Sequence, residues 1–323
     1  MDKLLTITVP SYNVEKYLEE TIPTFLRKEV LDDIEILLVN DGSKDNTAVI
    51  GKKLEESYPG TVFLVNKENG GHGSTINKGI ELAHGKYFKV VDGDDWVDSD
   101  EFVKYIELLR KTDTDLVMTP YKTVNQDSGE VILQTFTGIK YNFEYDFAGI
   151  IETLGDQYQM HSTTFKTEIL RKIPKISEHC FYVDQEYILY PLQYLKNVIF
   201  YDCPIYQYRI GNADQSVSRK NQQKNRNMHR RVIENLMNYA NDSKLSDVIN
   251  NFLEKRLVGL CCTQMVIYLS MEPSDEIEKE FVDFSDMVKT KNRRIYEQIP
   301  GTKMKLLRLS NNKFYKLMSK MTK

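Results

Sequence analysis

Through the first 120 residues, short apolar and β-branched runs alternate with segments whose apolar positions recur at helical spacing. Leu4 to Val9 has the length and composition of a buried strand. It ends at Pro10-Ser11-Tyr12-Asn13, and Val14 to Leu26 then follows a helical period. Ile34 to Val39 predicts a second strand, closed by Asn40-Asp41-Gly42-Ser43. Asp45, Asn46 and Thr47 supply caps for a helix running to about Tyr58. A third strand, Val62 to Val65, leads through a glycine-rich turn into a helix from about Gly73 to Ala83. A fourth, Tyr87 to Val91, leads into Asp92-Gly93-Asp94-Asp95. A helix from about Ser99 to Lys111 and a strand from Asp115 to Thr119 complete the series.

Strands alternating with helices predict βαβ units and a mostly parallel sheet covered on both faces, an α/β fold. Such sheets bind ligands beyond the carboxyl ends of the strands, where the strand order reverses. The polar clusters fall at those ends: Asn13, Asp41, Asn69 to Gly73, and Asp92 to Asp95. Residues 120–220 mix short strands and many aromatics with two candidate helices, 146–154 and 185–196. From 221 to 291 the pattern is helical, and 301–323 is a basic amphipathic tail. The expected organisation is an α/β domain over 1–220 followed by a helical region over 221–323.

Composition narrows the function classes. The 323 residues are 41% hydrophobic and 28% charged, as in an ordinary globular chain able to bury a core. Forty-three basic against 47 acidic side chains give a net charge of −4, which argues against a general nucleic-acid binder. Cys180, Cys203, Cys261 and Cys262 have neither zinc-site nor disulfide-framework spacing and are expected to be reduced. No run approaches the 18 apolar residues of a membrane span, so a cytoplasmic location is expected. The tail carries seven basic and no acidic residues, interleaved with Met304, Leu306, Leu307, Leu309, Phe314, Tyr315, Leu317, Met318 and Met321. That pattern suits peripheral attachment to an anionic membrane surface, or packing against the acidic remainder of the chain.

Three sequence clusters carry candidate chemistry. Asp92, Asp94 and Asp95 place three carboxylates within four residues after an apolar strand, which is costly without a cation. An open oxygen cluster of this kind suits Mg²⁺ or Mn²⁺ held together with a substrate phosphate, whereas capping of the next helix needs fewer carboxylates. Asp41 after a buried strand is placed to accept from a nucleobase N–H or a ribose hydroxyl, although Asp-Gly is also a common turn pair. Asn69-Gly70-Gly71-His72-Gly73-Ser74 is not a dinucleotide fingerprint, because position 76 is Ile and the loop follows the third strand. Its glycines instead allow backbone to approach a phosphate or sugar. His72 is a possible ligand contact or a solvated turn residue.

Taken in order, Thr8-Val9-Pro10-Ser11-Tyr12-Asn13, Val39-Asn40-Asp41-Gly42-Ser43-Lys44-Asp45-Asn46-Thr47, Asn69-Gly70-Gly71, Asn77-Lys78-Gly79 and Asp92-Gly93-Asp94-Asp95 resemble family 2 of the nucleotide-sugar-dependent glycosyltransferases. These are inverting enzymes with a GT-A fold. The likeness is close over roughly 1–120, the nucleotide-sugar-binding part, and looser over 121–220, the acceptor side. It implies that Pro10 and Tyr12 flank the nucleobase and that Asp41 holds its edge, usually a uracil. Asn69 and Gly71 would line the donor, while Asp92, Gly93 and Asp94 would meet its ribose and diphosphate. Asp94 and Asp95 would bind the divalent cation, Mn²⁺ or Mg²⁺. Many members have arginine before the asparagine of the third motif, where this chain has Ile76 before Asn77.

Phe181-Tyr182-Val183-Asp184-Gln185-Glu186-Tyr187 resembles the family's short acidic motif, with Val183 in place of the usual glutamate. The resemblance makes Asp184 the base that deprotonates an acceptor hydroxyl, with Glu186 as its rival. The neighbouring aromatics would desolvate a carboxylate there and strengthen it as a base; a plain helix-terminal carboxylate is the alternative. Tyr208-Arg209 and Gln215-Ser216-Val217-Ser218-Arg219 resemble the loop that closes over the donor, so Arg209 or Arg219 would neutralise the diphosphate. His161 is a weak acceptor-site candidate and otherwise a core histidine. The implied enzyme moves a sugar from a nucleotide-sugar donor, usually a UDP-sugar, to a glycan or lipid-linked acceptor in polysaccharide synthesis, as a monomer or homodimer. The alternative is a non-catalytic subunit of the same fold that supports a partner transferase.

Overall fold

A computed structural model describes residues 3–211 and 218–322. The chain divides into two compact units, 1–212 and 213–323.

The first unit opens with β1 (Leu5–Ser11), α1 (Glu15–Thr21), β2 (Ile34–Asp41), α2 (Thr47–Ser57), β3 (Val62–Lys67), α3 (His72–Leu82) and β4 (Tyr87–Val90). There follow β5 (Trp96–Val97), α4 (Ser99–Leu109), β6 (Leu116–Met118), β7 (Tyr121–Asn125), β8 (Val131–Gln134), β9 (Glu144–Asp146) and α5 (Phe147–Leu154). The unit closes with β10 (Thr163–Lys166), α6 (Thr167–Leu170), α7 (Asp184–Leu189), β11 (Asn197–Phe200) and β12 (Tyr206–Ile210).

Eight strands form one sheet in the order β3-β2-β1-β4-β10-β6-β11-β9, and four form a second in the order β5-β12-β7-β8. The run β3-β2-β1-β4 is parallel throughout. β1 lies between β2 and β4, so the order reverses there, and the loops after β1 and β4 flank the switch point. β10 runs antiparallel to both β4 and β6, with Phe165 opposite Phe88. Its start therefore lies at the rim where β4 ends. β1 and β2 are buried along their whole length, as strands covered on both faces must be. Their Leu5, Ile7, Val9, Ile34, Ile36 and Leu38 pack with Leu18, Ile22, Phe25 and Phe102 from the flanking helices.

The mostly parallel sheet flanked by helices, with a helical C-terminal region, is the predicted fold class. Two helices differ from the sequence expectation for one reason. The helix expected over Val14 to Leu26 ends as α-helix at Thr21 and continues as a 3₁₀ turn, Ile22–Phe25, with Pro23 in its first turn. Likewise α7 stops at Leu189 and a 3₁₀ turn, Tyr190–Tyr194, carries Pro191. Proline lacks the N–H that an α-helix interior needs and crowds the carbonyl four residues back.

The second unit contains α8 (Arg219–Lys224), α9 (Arg226–Asp242), α10 (Asp247–Leu269), α11 (Asp275–Lys291), α12 (Arg293–Gln298), α13 (Thr302–Leu309) and α14 (Tyr315–Lys320). In the tail, Met304, Leu307, Tyr315 and Met318 are buried, and the Tyr315 hydroxyl donates to the Tyr268 carbonyl of α10. Leu306, Leu309, Phe314, Leu317 and Met321 are exposed. Among the described residues no helix is long and apolar enough to cross a membrane.

Candidate active site

The loop after β1 is fastened to the loop after β2. Asn13, with a positive φ of 55°, donates its amide to Ser43 Oγ (3.0 Å) and accepts from the Lys44 amide (2.8 Å). Tyr12 beside it is about half exposed, with its ring available to a ligand. Pro10, expected in the loop, is buried within β1, and its carbonyl accepts from the Gly93 amide (3.2 Å). A Cβ at Gly93 would lie 2.7 Å from that carbonyl oxygen, which is why glycine occupies the position.

Asp41 is buried, and its carboxylate binds the turn before α3. Oδ1 accepts from Lys67 Nζ (2.7 Å) and the Gly70 amide (2.9 Å), and Oδ2 accepts from the Gly71 amide (2.8 Å). The Asn69 side-chain amide donates to the Asp41 carbonyl (2.9 Å). Gly71 precedes α3 with φ of 80°, and a Cβ there would lie 3.2 Å from the His179 backbone. Lys67 is a site-organising residue that sequence reasoning missed. Its signal was a cation placed just before the glycine turn.

The acidic cluster after β4 meets side chains from three other elements. His72 Nε2 lies 2.8 Å from Asp92 Oδ1. Burial alone would raise the Asp92 carboxyl, but the His72 charge and hydrogen bond hold it below the ordinary range. Burial works against a charged His72 in the same way, and Asp92 outweighs it, so the imidazole is raised. Asp95 is fully buried. Its Oδ2 accepts from the Tyr206 hydroxyl (2.6 Å) and its Oδ1 from the Arg209 amide (2.7 Å). Burial, then the charges of Asp94 and Asp92, push the Asp95 carboxyl well up. Asp94, partly exposed, is raised by burial and by Asp92.

His161 completes this corner from the 3₁₀ turn Met160–Ser162, just before β10. Ligand atoms of Asp92, Asp95 and His161 lie within 4.8 Å of one another. The His161 ring stacks on Tyr208 (centroids 4.3 Å) and packs against Tyr121 (5.2 Å), with its edge to Tyr206 (4.9 Å). Its buried Nδ1 has no hydrogen-bond partner among the described residues. Burial lowers the imidazole to about 4, which leaves it neutral and able to donate a lone pair. A neutral imidazole beside two carboxylates that repel each other is a donor set that fits a divalent cation. Asp94, expected on the metal with Asp95, stands outside that close trio.

Below the trio lies Lys89, a fully buried lysine of β4, lowered to about 7 by burial. Its Nζ donates to the carbonyls of His161 (2.9 Å) and Thr163 (3.1 Å) and sits 5.5 Å from the Tyr206 ring centroid. Sequence reasoning passed over it, although a lysine inside an apolar strand was a visible irregularity.

Arg209 is built into the wall. Its guanidinium carbon lies 4.5 Å from the Trp96 ring centroid and 5.0 Å from that of Tyr17. Nε donates to the Asp94 carbonyl (2.7 Å), and Nη2 pairs with Glu20 (3.2 Å). Arg219 belongs to the second unit, where it donates to the Ser270 carbonyl (3.5 Å). Gln215, Ser216 and Val217 of the expected closing loop lie outside the described residues.

Asp184 is the first residue of α7 and accepts from the Gln185 side chain (2.7 Å). Its charge acts on His72, His161 and Tyr208, side chains gathered around the acidic cluster. The loop before it is held in an unusual conformation, with positive φ at His179 (50°) and Tyr182 (66°). Glu186, its rival, is fully buried and takes the Ser177 amide (2.7 Å) and hydroxyl (2.9 Å). Asn77 pairs through its amide with the Ile176 backbone in both directions, at 2.9 and 3.0 Å, while Ile76 is buried. These two residues join α3 to the loop that leads to Asp184.

The family model for Glycosyl transferase family 2 matches residues 6–174, more than half of the chain. Among curated proteins, Glycosyltransferase GlyA of Streptococcus pneumoniae is 28% identical over 226 residues, 65% of this chain and 31% of that protein. The uncharacterized glycosyltransferase EpsJ of Bacillus subtilis is 40% identical over 117 residues, 36% of this chain and 33% of that protein. The chain thus spans about a third of the length of these relatives. The crystal structure of S. aureus TarS 1-349 superposes with a TM-score of 0.70 at 16% identity, covering 98% of this chain and 90% of that one. Its complex with UDP-GlcNAc gives 0.68 at 16% identity, with the same coverage. A mannosyltransferase, PcManGT from Pyrobaculum calidifontis, in complex with GDP-Man and Mn²⁺, gives 0.53 at 14% identity over 100% of this chain and 84% of that one. The shared fold is GT-A.

Proposed function

The chain belongs to glycosyl transferase family 2, and from that membership we propose that it is an inverting, cation-dependent transferase using a UDP-sugar. The observation that carries this reading is the meeting of Asp92, Asp95 and the neutral His161 at the switch point, with the charge of Asp184 acting on that histidine. Tyr12 covers the nucleobase, and Asp41 offers it a remaining lone pair beside the glycine turn. Asn69 and Gly71 shape that turn, while Gly93 lets the β4 loop close on Pro10. Asp92, Asp95 and His161 would hold Mn²⁺ or Mg²⁺, with Asp94 beside them. A bound cation would offset negative charge on the diphosphate, and one imidazole among the oxygens favours Mn²⁺.

Asp184 accepts the proton of the acceptor hydroxyl. The acceptor oxygen then bonds to the anomeric carbon from the face opposite the diphosphate, and the carbon–oxygen bond to the diphosphate breaks, its electron pair leaving with the nucleotide. Base catalysis of this kind is typically worth about 10²–10⁴-fold. Glu186, enclosed by Ser177, is the weaker candidate for the base. The exposed apolar and basic side chains of α13 and α14 support a glycan or lipid-linked acceptor met at an anionic membrane surface.

A thermal-shift panel of nucleotide sugars with and without Mn²⁺ tests the donor and cation. A shift confined to one UDP-sugar with Mn²⁺, reversed by a chelator, is expected; no shift with any pair overturns the reading. Asp184→Asn is expected to keep donor affinity within about two-fold while transfer falls at least 100-fold. Full transfer by that variant, followed as UDP release with an acceptor, ends the assignment of the base.

A further inference from the structure

The ladder between β4 and β10 covers only Phe88 with Phe165 and Tyr87 with Lys166. Beyond it β10 leaves β4, and the carbonyls of Thr163 and His161 accept from Lys89 Nζ. An ammonium in a fully buried position is costly unless its protons are taken up. Here two carbonyls receive it and the Tyr206 ring lies alongside, and no carboxylate pairs with it among the described residues. Both tethered groups bear on the acidic corner. His161 supplies a ring nitrogen within 4.8 Å of carboxylate oxygens of Asp92 and Asp95, and the Tyr206 hydroxyl donates to Asp95 Oδ2 and accepts from the Asp92 amide (3.2 Å).

We propose that Lys89 is a positioning residue of the cation site: it holds the start of β10 away from β4 so that His161 stands beside Asp92 and Asp95. It touches no reacting atom and acts through the His161 backbone. This inference rests on the reading of that corner as a cation site.

The test is Mn²⁺ binding to the full chain without nucleotide, read from the electron paramagnetic resonance signal of the free ion. Lys89→Met keeps the side chain's length and removes its donors. It is expected to bind Mn²⁺ about 10–100-fold more weakly, the usual effect of losing a group that orients a ligand, while binding UDP in excess chelator like the parent. His161→Ala is expected to lose a similar factor, and the double variant no more than either alone. Wild-type Mn²⁺ affinity in Lys89→Met, or losses that multiply in the double variant, overturn the proposal and leave the cation site standing. A parent protein with no Mn²⁺ affinity overturns both. Where Lys89→Met does not fold, Lys89→Gln, which keeps one donor, takes its place. Failure of both to fold makes Lys89 a core residue only and overturns the proposal.

Discussion

Both oxygens of the Asp41 carboxylate are engaged by the chain's own Lys67, Gly70 and Gly71, so this residue builds the donor side as well as facing it. Removing it leaves the Gly70 and Gly71 amides without an acceptor and strips the partly buried Lys67 ammonium of its carboxylate, leaving it the Glu68 carbonyl and Ser74 Oγ. Asp41→Ala is therefore expected to cost about 3 kcal/mol of stability, read from the midpoint of denaturant unfolding. Glu186 presents a similar case. Its two oxygens serve Ser177, so Glu186→Gln is expected to lower the thermal midpoint while transfer per folded molecule persists. Asp184, two residues from positive-φ Tyr182 and within electrostatic reach of two histidines, is the carboxylate whose amide variant should lose chemistry instead.

At the level of elements, the alternation of strands and helices was legible because buried parallel strands are nearly continuous apolar runs and their helices keep a 3.6-residue period. Helix ends were less so: Pro23 and Pro191 convert the ends of two predicted helices to 3₁₀ turns, a local effect that a count of apolar positions smooths over. The loops after β1, β2 and β4 could be read as one rim from the pattern alone. The contribution of His161 could not, since it lies 69 positions beyond Asp92 and no periodicity links them; the antiparallel placement of β10 does. Gly93 was named from a motif, and its physical reason is the Pro10 carbonyl 2.7 Å from where a Cβ would stand. Gly93→Ala must shift one loop against the other. About 1–3 kcal/mol of lost stability is expected in denaturant unfolding, with weaker donor binding.

At the level of the molecule, the tail separates its apolar residues into two sets. Met304, Leu307, Tyr315 and Met318 belong to the core of the second unit, whereas Leu306, Leu309, Phe314, Leu317 and Met321 face outward near Lys305, Lys313 and Lys320. Leu309→Asp with Leu317→Asp leaves the buried set intact and is expected to abolish co-sedimentation with phosphatidylserine vesicles. The parent is expected to bind them and to be released by salt, each basic side chain near such a surface contributing about 1 kcal/mol. Equal sedimentation of parent and variant would count against a membrane role for this face.

The reversed direction of β10 has a further consequence. A parallel strand in its place would deliver its far end to the rim and send its beginning to the opposite edge of the sheet. Because it points the other way, a histidine coded well downstream arrives beside aspartates coded upstream, while β7 and β8, coded between them, join the second sheet. Insertions in the exposed turn between β7 and β8 can lengthen the intervening chain while the β7–β12 ladder keeps both banks of the crossing in place.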